Sequence, residues 1–498
     1  MRDGWRSSKA KFPSQEACIV LSLGVLAFTV YLWQLSVPEF VGFYDSGVYL
    51  AAAIHLVSGV LPYKDFVFVN PPGLLILMSP VGVLCRLFGS HDGLIVARVA
   101  TSLVTATNVS LLARLVRHRG RVAMLMAGLG LALLPVTLIV SSGVRLEPYC
   151  ILLILLGALI ICSGDSNGKG LSRHSLFLSG LLFGLAGSIK LWAFFPFIAA
   201  LMCLTPAYRK RVLIFVGAAA SGFSLPALPF LVLAPRNFLT QVLGAQFLAK
   251  PKPTETASIV SRLSDLTGFQ GTSLTHTPRE TIIVWLIIVS LIIVAYWRRI
   301  ENEMADRFLL ASFIVTGCGL LAAPASSAYY YYFSAPFLIG VVAVTLARLG
   351  KRCLLSSRRM QVSERVRVPV RWLSGLASVI LLFALILYST TFFTTYASFR
   401  GLSFRSLLPI ASDIPKGSCV VSDMVIFELD TNRFTENSSR CPDVVDPYGV
   451  WQTWNNDYAD PPRAFVAVWK SNLQRANYVV LNLPAGSTSQ RNKLGELL

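Results

Sequence analysis

A chain of 498 residues that is 54% hydrophobic, only 14% charged and has a mean hydropathy of +0.62 is too apolar for an ordinary soluble protein; it reads as a polytopic membrane protein. Its net charge of +19 would suit a nucleic-acid binder, but the Lys and Arg residues fall in short clusters between apolar runs. That is the distribution of the positive-inside rule, so the charge reports topology and speaks against nucleic acid as a partner.

The first sixteen residues carry Arg2, Arg6, Lys9 and Lys11 ahead of an apolar run over 17–36 that has no small-residue cleavage site. This predicts an uncleaved anchor with a cytoplasmic N-terminus. The next apolar run, 71–88, holds Pro71, Pro72, Gly73, Pro80, Gly82 and Arg86. If it crossed, the run at 94–114 would deliver Arg117, Arg119 and Arg121 to the outside. Helices at 46–57 and 73–88 are therefore expected to lie at the outer interface, which makes 37–93 one extracytoplasmic segment. The run 94–114 then leads inward, 122–140 outward and 149–163 inward again. Stretch 176–204 is long for one helix and short for two. Treated as one span it would place Arg209, Lys210 and Arg211 outside, so a pair of short helices turning at Lys190 is expected. Residues 212–233 cross next, through Pro226 and Pro229, which suggest a kink; a polar outer loop, 234–280, follows. Spans at 281–297, 308–323, 333–349 and 372–395 complete about eleven crossings. The Arg-rich loop 350–371 is the strongest cytoplasmic marker.

The tail changes character, with frequent Asp, Asn, Pro and Trp and no run long enough to span. Short β-like segments at 418–422 and 477–481 and a helix near 462–475 predict a small extracytoplasmic α/β domain over 396–498, behind a membrane domain over 1–395. Cys419 and Cys441 lie in this tail and are candidates for a disulfide, with two free thiols as the alternative. The remaining cysteines sit in or beside apolar stretches without metal-ligand spacing and read as small buried hydrophobes.

On this topology the unusual polar residues converge on the outer face. Asp45 follows the first span, Lys64, Asp65 and Asn70 close the same loop, and Arg98 opens the second span. Arg145 and Glu147 lie between the third and fourth spans, and Lys190 caps the short pair. A charge at the membrane centre costs roughly 2.5–3.5 kcal/mol on insertion scales, so such residues tend to face cavities and partners. Several on one side suggest an anionic ligand with a carboxylate beside it. Structural roles compete: an N-cap for Asp45, snorkelling for Arg98 and Lys190, a helix-terminus carboxylate for Glu147. Tyr331 and Tyr332, in a run of four tyrosines, suit an aromatic belt or stacking on a sugar. The histidines form no ligand spacing, and no phosphate-binding Gly-rich loop, zinc pattern or nucleophile elbow is present.

The series Tyr44-Asp45-Ser46-Gly47-Val48-Tyr49, Gly59 to Phe66, Asn70-Pro71-Pro72-Gly73, Leu87-Phe88-Gly89 and Ala97-Arg98-Val99 resembles the N-terminal signature of the GT-C membrane glycosyltransferases. Within that class it is similar to the group of protein O-mannosyltransferases, lipid A aminoarabinose transferases and bacterial lipopolysaccharide-core galacturonosyltransferases. The resemblance implies an enzyme of a bacterial plasma membrane that moves a sugar, with inversion, from a polyprenyl-monophosphate donor to a hydroxyl of a glycan, lipid or protein at the extracytoplasmic face. It implies that Asp45 is the catalytic base and that Lys190, Arg98 and Arg145 neutralise the departing phosphate. Many relatives have Asp-Glu where this chain has Asp45-Ser46, and Lys-Pro-Pro where it has Asn70-Pro71-Pro72. The first departure argues against an obligatory metal, with a divalent cation shared by Asp45 and Glu147 left open; the second moves phosphate binding to other cations. The competing reading is a flippase or transporter of lipid-linked sugar, which would need polar residues near the midplane.

Overall fold

Backbone groups in lipid have no water to bond, so apolar stretches of this length can cross only as helices or closed barrels. The computed structural model is helical: it describes residues 14–36, 44–166, 170–247, 258–269, 277–296, 303–323, 327–359, 404–435, 441, 444–454 and 463–481. The helices are α1 (Gln15–Ser36), α2 (Tyr44–Val57), α3 (Gly73–Phe88), α4 (Ser90–Leu115), α5 (Arg121–Leu133), α6 (Pro135–Ser141), α7 (Leu146–Ser166), α8 (Arg173–Ile189), α9 (Phe194–Tyr208), α10 (Val212–Leu233), α11 (Pro235–Leu239), α12 (Ala245–Phe247), α13 (Ile259–Leu266), α14 (Pro278–Tyr296), α15 (Met304–Ala322) and α16 (Ala335–Arg359).

Among the described residues, α1, α4, α7, α10, α14 and α15 are each long and apolar enough to cross a membrane. Their outer faces fit lipid: on α10, Leu213 is 75% exposed and Leu225 74%, a waste of apolar surface in water but not in a bilayer. The expected span at 122–140 is not one straight helix. Leu134 is extended ahead of Pro135, and α5 and α6 meet there at 60°, as the residue before a proline is pushed out of the helical region. The pair expected at 176–204 is present as α8 and α9, broken at Lys190, whose backbone is extended between α8 and a 3-10 turn over Leu191–Ala193. Helix α10 continues through Pro226 and Pro229. The outer segment 234–280 is less loop-like than its polarity suggested, since it holds α11, a π-turn over Thr240–Gly244, α12 and α13. The expected span at 372–395 lies outside the described residues.

Helices α8 and α10 are packed backbone to backbone. A Cβ at Gly184 would overlap the carbonyl oxygen of Ala219, and one at Gly222 the carbonyl oxygen of Leu181, the close approach that small residues permit in membrane bundles. Gly184→Ala is accordingly expected to cost about 1–3 kcal/mol through overpacking, read as a lower Tm of the purified protein in detergent. An unchanged Tm would show that the two helices part freely.

Helix α2 was expected to lie on the interface, yet Ser46 through His55 are all buried. Two elements cover it: α3, and the short tail helix Val425–Asp430, whose Val425, Ile426 and Leu429 join the main apolar core. The approach is close enough that a Cβ on Gly47 would collide with the backbone of Ile426. Strands β1 (Val420–Ser422) and β2 (Tyr478–Val480) pair in parallel, Val420 opposite Tyr478. Val420, Val480, Ile414 and Phe427 make a small separate cluster beneath them. Cys419 and Cys441 are joined as a disulfide with Cα atoms 5.3 Å apart.

At the opposite end, Asp306 on α15 is fully buried and gathers two arginines and a histidine. His118 Nε2 stands 2.8 Å from Oδ1, Arg348 of α16 donates to Oδ2 at 2.6 Å, and Arg119 donates to the same carboxylate. One carboxylate thus ties the turn after α4 to α15 and α16.

Candidate active site

Two ion pairs beside one cavity bring together three places in the chain. Ser46 sets the first contact: its hydroxyl accepts the Val144 N–H at 2.9 Å and lies 3.4 Å from the Val144 carbonyl oxygen. With α2 clamped to residue 144, the preceding Asp45 meets the following Arg145, whose guanidinium donates to its carboxylate. Ser46 therefore acts as a clamp between α2 and the start of α7. Asp45 lies inside the first turn of α2, which begins at Tyr44, and not at its N-cap.

The Lys190 ammonium, presented at the break between α8 and α9, donates to Glu147 Oε1 at 2.5 Å. Glu147 opens α7 two residues after Arg145, so the two ion pairs are neighbours. Aromatic faces cover both cations: the Arg145 guanidinium sits 3.9 Å from the Tyr329 ring centre. The Lys190 ammonium is 4.3 Å from that of Tyr330 and 4.8 Å from that of Trp192. These contacts help offset the desolvation of nearly buried charges. Burial and the nearby Asp45 carboxylate hold the Tyr329 phenol well above its ordinary pKa, so it stays neutral.

Asp45, Arg145, Lys190, Trp192, Tyr329 and Tyr330 line a cavity of about 1190 Å³. Its other walls are apolar, formed by Phe183 and Gly187 of α8, Phe194 and Phe197 of α9, Val216 and Phe223 of α10, and Gly319 of α15. Asn70, Gln246, Asp446 and Tyr448 add polar groups to its lining. The segments 63–69 and 237–246 are laced together beside it. Gln241 Oε1 accepts the Phe68 N–H at 2.9 Å, the Gln246 amide donates to the Val69 carbonyl at 3.0 Å, and the Asn237 amide to that of Tyr63 at 2.9 Å.

Of the residues singled out in the sequence, Asp45, Asn70, Arg145 and Lys190 line this cavity, and Glu147 stands directly behind Lys190. The others do not reach it. Lys64 is exposed, and Asp65 accepts the Leu61 N–H at 2.8 Å, closing its own turn. Arg98 interacts electrostatically with Asp430 of the tail. Tyr331 and Tyr332 are buried in the core, Tyr332 accepting from the Asn108 amide at 3.2 Å. The tyrosine run folds as a 3-10 helix over Ala328–Phe333, which sends Tyr329 and Tyr330 to the cavity and the next two inward. Composition showed the run but not which residues would face the ligand. Tyr44 carried a hint, as the neighbour of Asp45; Asp446 and Tyr448 had none, lying in turn-rich sequence far along the chain.

For a metal, the donor set is poor. Asp45 and Glu147 are each engaged by a cation, and among the described residues no three His, Cys, Asp or Glu side chains converge. A divalent ion shared by the two carboxylates would have to displace both Arg145 and Lys190.

Comparison with known families matches residues 68–324, a little over half of the chain, to glycosyltransferase family 87. The chain belongs to that family. Arg145, Glu147 and Lys190 fall inside the matched region, while Asp45 and the tail flank it. Among solved structures, this glycosyltransferase is similar to ArnT from Cupriavidus metallidurans in the apo state, with a TM-score of 0.60 at 14% identity over 96% of this chain and 94% of that one. The same protein bound to undecaprenyl phosphate aligns equally well, at 0.60 and 14% over 96% and 95%. The oligosaccharyltransferase AglB from Archaeoglobus fulgidus, in complex with an inhibitory peptide and a dolichol-phosphate, aligns at 0.53 and 12% over 93% of this chain and 69% of that one. A search of curated proteins returned no match. At such identities the likeness is one of fold, and the fold is that of the GT-C membrane glycosyltransferases, as the first outer loop had suggested.

Proposed function

We propose that this glycosyltransferase moves a sugar from a polyprenyl-monophosphate donor to a hydroxyl acceptor, with inversion, at the extracytoplasmic face of a bacterial plasma membrane. On this reading its N-terminus is cytoplasmic and its tail lies outside. The observation that carries the reading is a single cavity in which one carboxylate, Asp45, and two cations, Arg145 and Lys190, stand at the head of an apolar chamber. A prenyl chain fits the apolar walls and its phosphate the cations; two proteins of the same fold bind undecaprenyl phosphate and a dolichol-phosphate.

The chemistry follows from the charges. An arriving phosphate competes with Asp45 for Arg145 and with Glu147 for Lys190, and this frees the Asp45 carboxylate. The acceptor oxygen then attacks the anomeric carbon while the bond from that carbon to the phosphate oxygen breaks. The bonding electrons leave with the polyprenyl phosphate, whose charge Arg145 and Lys190 neutralise. The acceptor proton passes to Asp45. No step needs a metal, in keeping with carboxylates already engaged by cations. A transporter reading has no observation in its favour.

The test is lipid binding. Purified protein is expected to bind undecaprenyl phosphate equally with and without EDTA. The double variant Lys190→Gln/Glu147→Gln, which orphans no charge, is expected to bind it about tenfold or more weakly. Unchanged binding in the variant, or binding lost to EDTA, would overturn the assignment.

A further inference from the structure

Three successive residues in the first turn of α2 each engage a different part of the chain. Tyr44 holds the tail: its hydroxyl donates to Asp446 Oδ1 at 2.7 Å and accepts the Tyr448 N–H at 2.9 Å. Asp45 takes the Arg145 guanidinium. Ser46 holds the backbone of Val144. Asp45, the proposed base, is therefore flanked by a clamp on either side, one to the segment before α7 and one to the tail.

The far side of the Tyr44 clasp is a helix start. Asp446 directly precedes the tail helix Pro447–Trp454; its Oδ1 also accepts the Gly449 N–H at 2.8 Å, and its backbone carbonyl accepts the Val450 N–H at 2.9 Å. These are the bonds of an N-cap. The Tyr44 oxygen takes the Tyr448 N–H, another of those that a helix start leaves without a partner in the helix. The start is itself seated, since Val445 belongs to the main apolar core and a Cβ on Gly449 would come within 3.0 Å of the Val69 side chain. Burial, with the Asp446 carboxylate next to it, holds Tyr44 well above the ordinary phenol pKa, so it remains a protonated donor.

Successive side chains of an α-helix stand about 100° apart. Clamps on residues 44 and 46 together fix the rotation of the first turn about the helix axis, and with it the direction of the carboxylate between them. A general base works only in the right geometry, and a misplacement of about 1 Å can cost about 10²-fold in rate. Without the Tyr44 clasp, Ser46 alone would set that rotation from the side chains of this turn.

We infer that Tyr44 is a positioning residue: through its hydroxyl the tail helix Pro447–Trp454 sets the direction of Asp45, which makes the tail part of the transfer machinery. The inference rests on the reading of Asp45 as the base. It concerns how that carboxylate is held, whereas the reading concerns what it does.

The test follows release of undecaprenyl phosphate by the purified full chain from a panel of undecaprenyl-phosphate-linked hexoses and pentoses, with an extract of the native membranes as acceptor. It is read as kcat and donor KM, beside Tm and the affinity for undecaprenyl phosphate. Tyr44→Phe, which removes one oxygen, is expected to lower kcat by about tenfold or more while donor KM and lipid affinity stay within about twofold. Asp446→Ala cuts the clasp from the tail side and serves if Tyr44→Phe folds poorly. Asp446→Asn keeps an oxygen for Tyr44 and Gly449 and is expected to recover most of the kcat that Asp446→Ala loses. An unchanged kcat in Tyr44→Phe, beside an inactive Asp45→Asn, overturns the inference and leaves the base reading standing. A raised KM with kcat held also overturns it, by making the hydroxyl a substrate contact. So does a loss of kcat and lipid affinity in step with a lower Tm, which would mark the clasp as merely structural, or an Asp446→Asn no better than Asp446→Ala. Full activity of Asp45→Asn would instead sink the base reading, and release from none of the donors by the wild type the polyprenyl reading, each taking this inference with it.

Discussion

Asp45→Asn is expected to lower sugar transfer by about 10²- to 10⁴-fold, the usual worth of a positioned general base. The amide keeps the shape of the side chain and one oxygen for Arg145, but it cannot take the acceptor proton. The affinity for undecaprenyl phosphate should hold or rise, because Arg145 no longer shares itself with a full negative charge on residue 45. Single-turnover transfer measured beside lipid binding separates these outcomes. Retained transfer would remove Asp45 from the role of base, and a collapse of lipid binding would make it a structural partner of Arg145.

The second large effect lies at the other end of the bundle. Replacing Asp306 by Ala removes the buried carboxylate shared by Arg119, Arg348 and His118. Breaking a buried charge network by removing one partner typically costs about 3–5 kcal/mol, far more than the network adds relative to well-packed apolar residues. The expectation is a sharply lower Tm and poor recovery from membranes, with the surviving protein still able to bind undecaprenyl phosphate. Asp306→Asn, which keeps two hydrogen-bonding atoms, should lose less. Equal stability of Asp306→Ala and the wild type would show that the cluster is solvated.

Much of the architecture could be read from the chain because two physical signals agree along it. Apolar runs mark the crossings and basic clusters mark the turns between them. The break at Lys190 followed from that agreement alone, since only a paired crossing keeps Arg209–Arg211 with the other basic loops. The bend at Leu134–Pro135 was a local signal that the span assignment overrode. The site was legible in part. Charges out of place in an apolar chain are informative, and Asp45, Arg145, Glu147 and Lys190 do come together. Arg98, Lys64 and Asp65 carried the same signal without the result, because sequence position near an outer loop does not say which way a side chain is directed. Tyr329 and Tyr330 were displaced by two positions within a uniform run, where only the register of a 3-10 turn decides.

The Tyr44–Asp446 contact was beyond any local pattern, joining residues 402 apart. It also limits how the polypeptide can be threaded. Two side chains that touch stand on one side of the bilayer, so the chain from residue 44 to residue 446 must cross it an even number of times. One hydrogen bond thereby fixes a parity for the topology that no count of apolar helices provides.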